Sequence, residues 1–272
     1  MRLREMVQKA LEEDIGREDV TSTAIIPTDL HGKARIFAKQ DLVVCGHKVA
    51  STVFDELGAQ YKPEVKEGTF ITSGTTIAMV HGQYRSLLSA ERLALNYLMR
   101  LCGIATHTYN TVQGISSRIK VVDTRKSTPL HRSLERNAVC VGGGSNHRFA
   151  LYDGILIKEN HIMVAGSVQE AIARAKRHAH HLLKIEIEVE NLQQLQEAIE
   201  AGADVVMLDN MNNEQLKEAV ELNQSRVLLE ASGNMNRDRI LQIQDIGIDI
   251  VSMGGLIHQA RWADISMRIQ LE

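Results

Sequence analysis

Arg125, Lys126, His147, Arg148 and Lys158 all fall in one stretch, Val121–His161, which reads VVDTRKSTPLHRSLERNAVCVGGGSNHRFALYDGILIKENH. Two apolar runs, Val121-Val122 and Ile155-Leu156-Ile157, each stop at a charged cluster: Asp123-Thr124-Arg125-Lys126 and Lys158-Glu159-Asn160-His161. Between them stand a triple glycine, Gly142–Gly144, and then Asn146-His147-Arg148. Cationic donors at strand ends suit the phosphate or carboxylate groups of a ligand, and arginine binds these bidentately. Further along, Glu188, Glu190 and Asp209 end other apolar runs. Carboxylates there suit Mg²⁺ or sugar hydroxyls. A ligand with phosphates, a ribose and a metal would use both kinds. A single Arg or Lys is more often an ordinary exposed charge; five at the ends of expected strands are harder to dismiss.

Glycines supply a second signal. Ser232-Gly233 and Gly254-Gly255 follow the last two apolar runs, with His258 three residues beyond Gly255. Loops after the last strands of α/β barrels often hold a phosphate on backbone N–H groups. Other motifs carry less. His178, His180 and His181 lack a matching carboxylate or cysteine and read as a solvated helix end. The triple glycine is no dinucleotide fingerprint, and there is no P-loop. Cys140 reads as a small apolar filler, having no base beside it in sequence.

The elements that must position these residues fall into two textures. Residues 1–110 open with an amphipathic helix (Leu3, Met6, Val7, Ala10, Leu11) and continue with strand-like runs at Ala34–Ala38 and Leu42–Cys45. A helix over His47–Leu57, glycine-punctuated strand patches and a long helix over Leu87–Cys102 complete a small α+β region. Arg92 and Arg100 lie on that last helix and are available to an interface. Residues 111–260 have a rhythm instead. The runs KVVDTRK, GILIKEN, IEIEVE, VVMLDN, VLLEASG and IDIVSMGG alternate with helices over Val168–His178, Leu192–Ala201, Glu214–Leu222 and Arg237–Gln244. Asn191, Asn213 and Asn236 stand as N-caps of the last three. This pattern predicts βα units with the chemistry at the C-terminal strand ends, in an incomplete barrel, with a doubly wound sheet as the competing architecture.

The bulk numbers agree. The 272 residues are 44% hydrophobic, enough for a sizeable core, and only 4% aromatic. A net charge of −3 leaves no basic footprint for nucleic acid, and so few aromatics disfavour base stacking. Three cysteines, far apart and odd in number, read as reduced thiols in a cytoplasmic protein. Neither a signal peptide nor a membrane span is expected.

The segments EDIGREDVTS, ERLALNYLMRLCGIAT, DTRKSTP, GGGSNHR, LIKENHI, IEIEVE, MLDN, LEASGN and SMGGLIH, in that order, resemble the quinolinate phosphoribosyltransferase family along nearly the whole chain. The resemblance implies an N-terminal open α/β sandwich over 1–110, joined by the tail 261–272, and an incomplete α/β barrel of about seven strands over 111–260. It implies transfer of phosphoribose from 5-phosphoribosyl-1-pyrophosphate to quinolinate with decarboxylation and with Mg²⁺, in NAD biosynthesis. It also implies a homodimer, or a hexamer built of dimers, in which a neighbour completes each barrel mouth.

Residue by residue, Arg125, His147, Arg148 and Lys158, with Arg92 from the neighbour, are similar to the quinolinate ligands. Lys126 is similar to the lysine near the pyrophosphate. Glu188 and Asp209 are similar to the carboxylates facing ribose and Mg²⁺, and Ser232, Gly233, Gly254 and His258 to the 5′-phosphate cradle. Three departures stand out: Leu130 where a glycine is usual, Glu18 before Asp19, and Gly255–Gln259 in place of a more usual ending. The alternatives are a related transferase with another acceptor, such as nicotinate, and a non-catalytic phosphosugar-binding relative. Arg148 and Lys158 beside His147 favour a dicarboxylate acceptor; Lys126, Glu188 and Asp209 favour catalysis.

Overall fold

Alternate residues of the run His31–Ala38 point inward, with Ala34, Ile36 and Ala38 fully buried, as one face of a pleated strand requires. The later run Val205–Leu208 is buried at every position, the mark of a strand covered on both faces. These two patterns separate two kinds of sheet in the computed structural model. The model describes residues 2–270. Met1, Leu271 and Glu272, which belong to the expected segments 1–110 and 261–272, lie outside the described residues.

In chain order the elements are α1 (Leu3–Ile15), α2 (Val20–Ile25), β1 (His31–Ala38), β2 (Leu42–Val43), α3 (His47–Glu56), β3 (Gln60–Pro63), β4 (Phe70–Ile71), β5 (Thr76–Gln83) and α4 (Tyr84–Val112). There follow β6 (Lys120–Val122), α5 (Arg132–Val141), β7 (Ile155–Ile157), α6 (Glu159–Ala165), α7 (Val168–His178), β8 (Ile185–Val189) and α8 (Leu192–Ala201). The chain ends with β9 (Val205–Asp209), α9 (Asn213–Asn223), β10 (Leu228–Ser232), α10 (Arg237–Ile243), β11 (Ile250–Ser252), α11 (Gly255–His258) and β12 (Ile265–Gln270).

Two compact units result. One comprises the chain up to Asn110, Thr128–Gly143 and the segment from Ala260 onward. It holds an antiparallel sheet in the order β12-β1-β5-β3 and the small pair β2-β4. The chain's last strand enters this sheet beside β1, with Lys33 opposite Gln270 and Ala38 opposite Ile265. The second unit, Thr111–Ser127 and Gly144–Gln259, holds a six-stranded parallel sheet in the order β6-β11-β10-β9-β8-β7. It is open between β6 and β7; Ser145 makes a single parallel bridge to Val122 on the free edge of β6. The fold is thus mixed α/β, with a parallel βα unit and a separate antiparallel sheet. The segment Thr128–Gly143, which a cut at residue 110 assigns to the barrel, clusters with the antiparallel unit.

Four local expectations need correction. The long helix runs over Tyr84–Val112 and does not stop at Cys102. Gly103 suggests a stop by propensity, but it serves a close approach: a Cβ there would lie 2.1 Å from the carbonyl oxygen of Arg261. Asn212, not Asn213, caps α9, because its side chain accepts from Gln215 N while the Gln215 side chain reaches back, closing a capping box. Arg100 faces inward, where it bonds Glu135 at 2.7 Å and the Ala260 carbonyl at 3.2 Å, so it is not available to an interface. Cys140 is exposed and not a core filler, whereas Cys45 and Cys102 are buried. Among the described residues, no helix is long and apolar enough to cross a membrane.

Candidate active site

Because all six strands of the second unit are parallel, their C-terminal ends share one rim. A cavity of about 700 Å³ opens there, lined from every strand end. Arg125, Lys126, His147, Arg148, Lys158, Glu188, Asp209, Ser232, Gly233, Gly254 and His258 all line it. Arg92 does not; it is an exposed residue of α4 in the other unit. Glu190, one pleat beyond Glu188, also lies outside the cavity. The triple glycine is no part of it either: Gly142 caps the C-terminus of α5.

The His147–Arg148 loop and Lys158 are each tied to an acid. Asp123, fully buried at the end of β6, accepts from the His147 amide at 3.0 Å and from Asn146 Nδ2 at 2.7 Å, fixing the 146–148 loop beside the strand. Arg148 Nη1 donates to the Gly154 carbonyl at 2.8 Å. Burial, then the nearby Arg125 charge, lowers the pKa of the Arg148 guanidinium. Two such cations side by side invite an anion between them. Lys158 Nζ pairs with Glu188 Oε2, and with the lysine side chain 48% exposed this contact is readily exchanged for one to a ligand.

Below this rim lies a group that sequence reasoning missed. Glu186 and Glu230, on β8 and β10, are buried, and their oxygens flank His147 Nε2 at 3.1 and 3.5 Å. The signal was present in IEIEVE, where period-2 alternation puts Glu186 on the same face as Glu188, one step deeper. Burial alone would lower the His147 pKa, but hydrogen bonds and charge from Glu186 and Glu230 outweigh it and push the value up to about 10. The proton so retained belongs to the whole triad. Within it, Nδ1 accepts the Arg148 amide at 2.7 Å, a bond that requires an unprotonated Nδ1. The hydrogen bonds thus fit a ring that donates from Nε2 and accepts at Nδ1, and burial raises the pKa of the neighbouring Glu186.

The opposite side of the cavity is built from backbone. Gly233 has φ 90°, and a Cβ there would stand 2.2 Å from Asn210 Oδ1, so only glycine fits. Asn210 and Asn234, both in the cavity, also adopt positive φ, 55° and 49°. Arg239 ties the two loops together: it donates to the Gly233 carbonyl at 2.9 Å and to the Met211 carbonyl. Neither asparagine nor Arg239 was legible as a site residue, because their roles depend on loop conformation. A Cβ on Gly254 would lie 3.0 Å from Lys126 Cδ and 3.3 Å from His258 Nε2, so these three groups meet at one point.

Residues 104–268 match the model of the quinolinate phosphoribosyl transferase C-terminal domain, and residues 19–102 that of its N-terminal domain. The chain belongs to the quinolinate phosphoribosyltransferase family. A relative from Bacillus subtilis (strain 168), named probable nicotinate-nucleotide pyrophosphorylase (carboxylating), is 39% identical, covering 100% of this chain and 94% of the relative. Among solved structures, NadC from Streptococcus pyogenes is 42% identical with a TM-score of 0.94, covering 98% of this chain and 95% of that one. The nicotinate-nucleotide pyrophosphorylase of Francisella tularensis is 36% identical with a TM-score of 0.93, covering 98% and 96%. Within the family frame, the departure at Leu130 acquires a physical meaning. Its φ is 67°, a left-handed conformation costly for a residue with a Cβ, and its side chain is 76% exposed.

Proposed function

We propose that this enzyme transfers phosphoribose from 5-phosphoribosyl-1-pyrophosphate to quinolinate and releases CO₂, giving nicotinate mononucleotide and pyrophosphate for NAD biosynthesis. The observation that carries this reading is the division of one cavity into a side-chain cation half and a glycine–asparagine half. Quinolinate brings two carboxylates, which suit Arg125, Arg148 and Lys158. The phosphoribosyl donor brings a pyrophosphate, which suits Lys126, and a 5′-phosphate, which suits the Ser232-Gly233 and Gly254 loops with His258.

The pyridine nitrogen attacks C1 of the ribose with its own lone pair, forming the N–C1 bond as the C1–O bond to pyrophosphate breaks. No general base is needed. The work is positioning, and stabilising an oxocarbenium-like centre and the departing charge. The carboxylate next to the ring nitrogen then leaves as CO₂. Its electron pair stays on the ring carbon beside the positive nitrogen until a proton arrives. Glu188 and Asp209 face the ribose hydroxyls. They also fit Mg²⁺: both offer hard oxygen donors at adjacent strand ends, each with one oxygen engaged by a neighbour, Lys158 or Asn210. Bound there, directly or through water, Mg²⁺ would offset the charge of the pyrophosphate.

The working form is a homodimer, alone or stacked into a hexamer, with Arg92 supplied to the neighbour's site. Exposed apolar side chains near Arg148 and Lys158 in sequence, such as Tyr152 at 79% and Val164 at 85%, support a covered surface. Three cysteines that form no disulfide among the described residues support a cytoplasmic location. The test is CO₂ release from quinolinate, phosphoribosyl pyrophosphate and Mg²⁺ by the purified protein; turnover of nicotinate in place of quinolinate would overturn the assignment. Mixing Arg92→Ala chains with Lys126→Ala chains restores activity if the site is shared between subunits, and restores none if it is not.

A further inference from the structure

Three acids converge on the His147 loop: Asp123, just after β6, on its backbone, and Glu186 from β8 and Glu230 from β10 on its ring. Both ring nitrogens are committed within the protein, Nε2 as donor to the two glutamates and Nδ1 as acceptor from the Arg148 amide. Only carbon is left for the ring to present to the cavity. The second oxygens, Glu186 Oε1 and Glu230 Oε1, are buried without a hydrogen-bond partner among the described residues. Such an arrangement is costly, and core stability alone does not account for it. It does fix one thing: the ring's Nδ1 sets where the Arg148 amide, and with it the guanidinium bonded to Gly154, must sit.

We propose that Glu186 and Glu230 are positioning residues that act on the reaction through His147, locking its ring so that Arg148 is aimed at the acceptor substrate, and that His147 gives no ring-nitrogen hydrogen bond to that substrate. The proposal rests on the quinolinate reading above and changes the role expected for His147 within it. The charged groups facing the ring are Asp123, Glu186, Glu230 and Arg148, with Arg125 acting on Arg148. A metal ion held by the same three side chains is disfavoured, because His147 Nε2 already carries the hydrogen shared between the glutamates and the Arg148 charge lies close to Glu186.

The test is ¹⁵N NMR of histidine-labelled full-length protein, with the His147 signals assigned by their absence in His147→Gln. The expected ligand-free spectrum shows one protonated and one unprotonated ring nitrogen, and saturating quinolinate, without the phosphoribosyl donor, leaves that pattern in place. Glu230→Ala raises the KM for quinolinate about tenfold and leaves the KM for phosphoribosyl pyrophosphate unchanged. Glu230→Gln, which can still accept from Nε2, restores the quinolinate KM. Glu186→Ala and Glu186→Gln repeat the comparison if the Glu230 variants do not fold. Two protonated ring nitrogens, a ring signal that moves to a new hydrogen-bonded position on adding quinolinate, or equal effects on both KM values would each overturn the proposal. So would a cobalt(II) spectrum at this site that vanishes in Glu230→Ala. If the wild-type protein neither binds nor turns over quinolinate, the functional reading fails, while the ligand-free spectrum still decides the state of the ring.

Discussion

The two compact units treat their buried glutamates in opposite ways. In the first, the buried Glu135 is saturated, and so are two more accessible acids, Asp19 and Glu67. Glu135 accepts from Arg100 Nη2 at 2.7 Å and from the Thr128 amide and hydroxyl, both at 2.8 Å. Asp19 accepts from the Ser22 amide at 3.0 Å and from the hydroxyls of Ser22 and Ser89. Glu67 accepts from the amides of Gly46 and His47. In the second, Glu186 and Glu230 keep buried oxygens without a partner, and the cations above them crowd one another. A saturated network is scaffolding; the unsatisfied one beside the cavity fixes the groups that meet a ligand.

Substitutions can break or sharpen this contrast. The largest effect belongs to the scaffold: Glu135→Ala strands Arg100 and costs about 3–5 kcal/mol, read by chemical denaturation. A loss below 1 kcal/mol would show that the pair is no better than a surface bridge. In the site, Lys126→Ala leaves folding intact and lowers kcat/KM for phosphoribosyl pyrophosphate about a hundredfold, read by steady-state kinetics. Gly233→Ala is expected to raise the KM for that substrate about tenfold, since the new methyl must displace Asn210; an equal rise for quinolinate would erase the division of the cavity.

Asp19→Ala costs about 1 kcal/mol at neutral pH through loss of the α2 cap. The Asp19 pKa is lowered, first by its bond to the Ser22 side chain, so its contribution is present above the ordinary carboxylate value and is lost as pH falls through the lowered one. Thermal melts of the two proteins should therefore converge in acid. Smallest of all, Leu130→Gly removes a left-handed strain and gives back unfolded-chain entropy, moving stability by less than about 1 kcal/mol.

Much of this was written in the chain. The strands ending at Val122, Ile157, Val189, Asp209, Ser232 and Ser252 follow from apolar runs broken by polar residues, and their parallel order follows from the helices between them. That alone places Arg125, Lys126, Lys158, Glu188 and Asp209 on one rim, because parallel strands align their ends. Tertiary structure decided what depends on conformation and depth. Gly103 continues a helix because a distant carbonyl crosses it, and Arg100 turns inward because Glu135 awaits it. Asn210 and Asn234 join the site through positive φ, which no residue pattern announces. Glu186 and Glu230 become partners of His147 only because β8 and β10 flank β9, so that three residues far apart in the chain meet in a buried space.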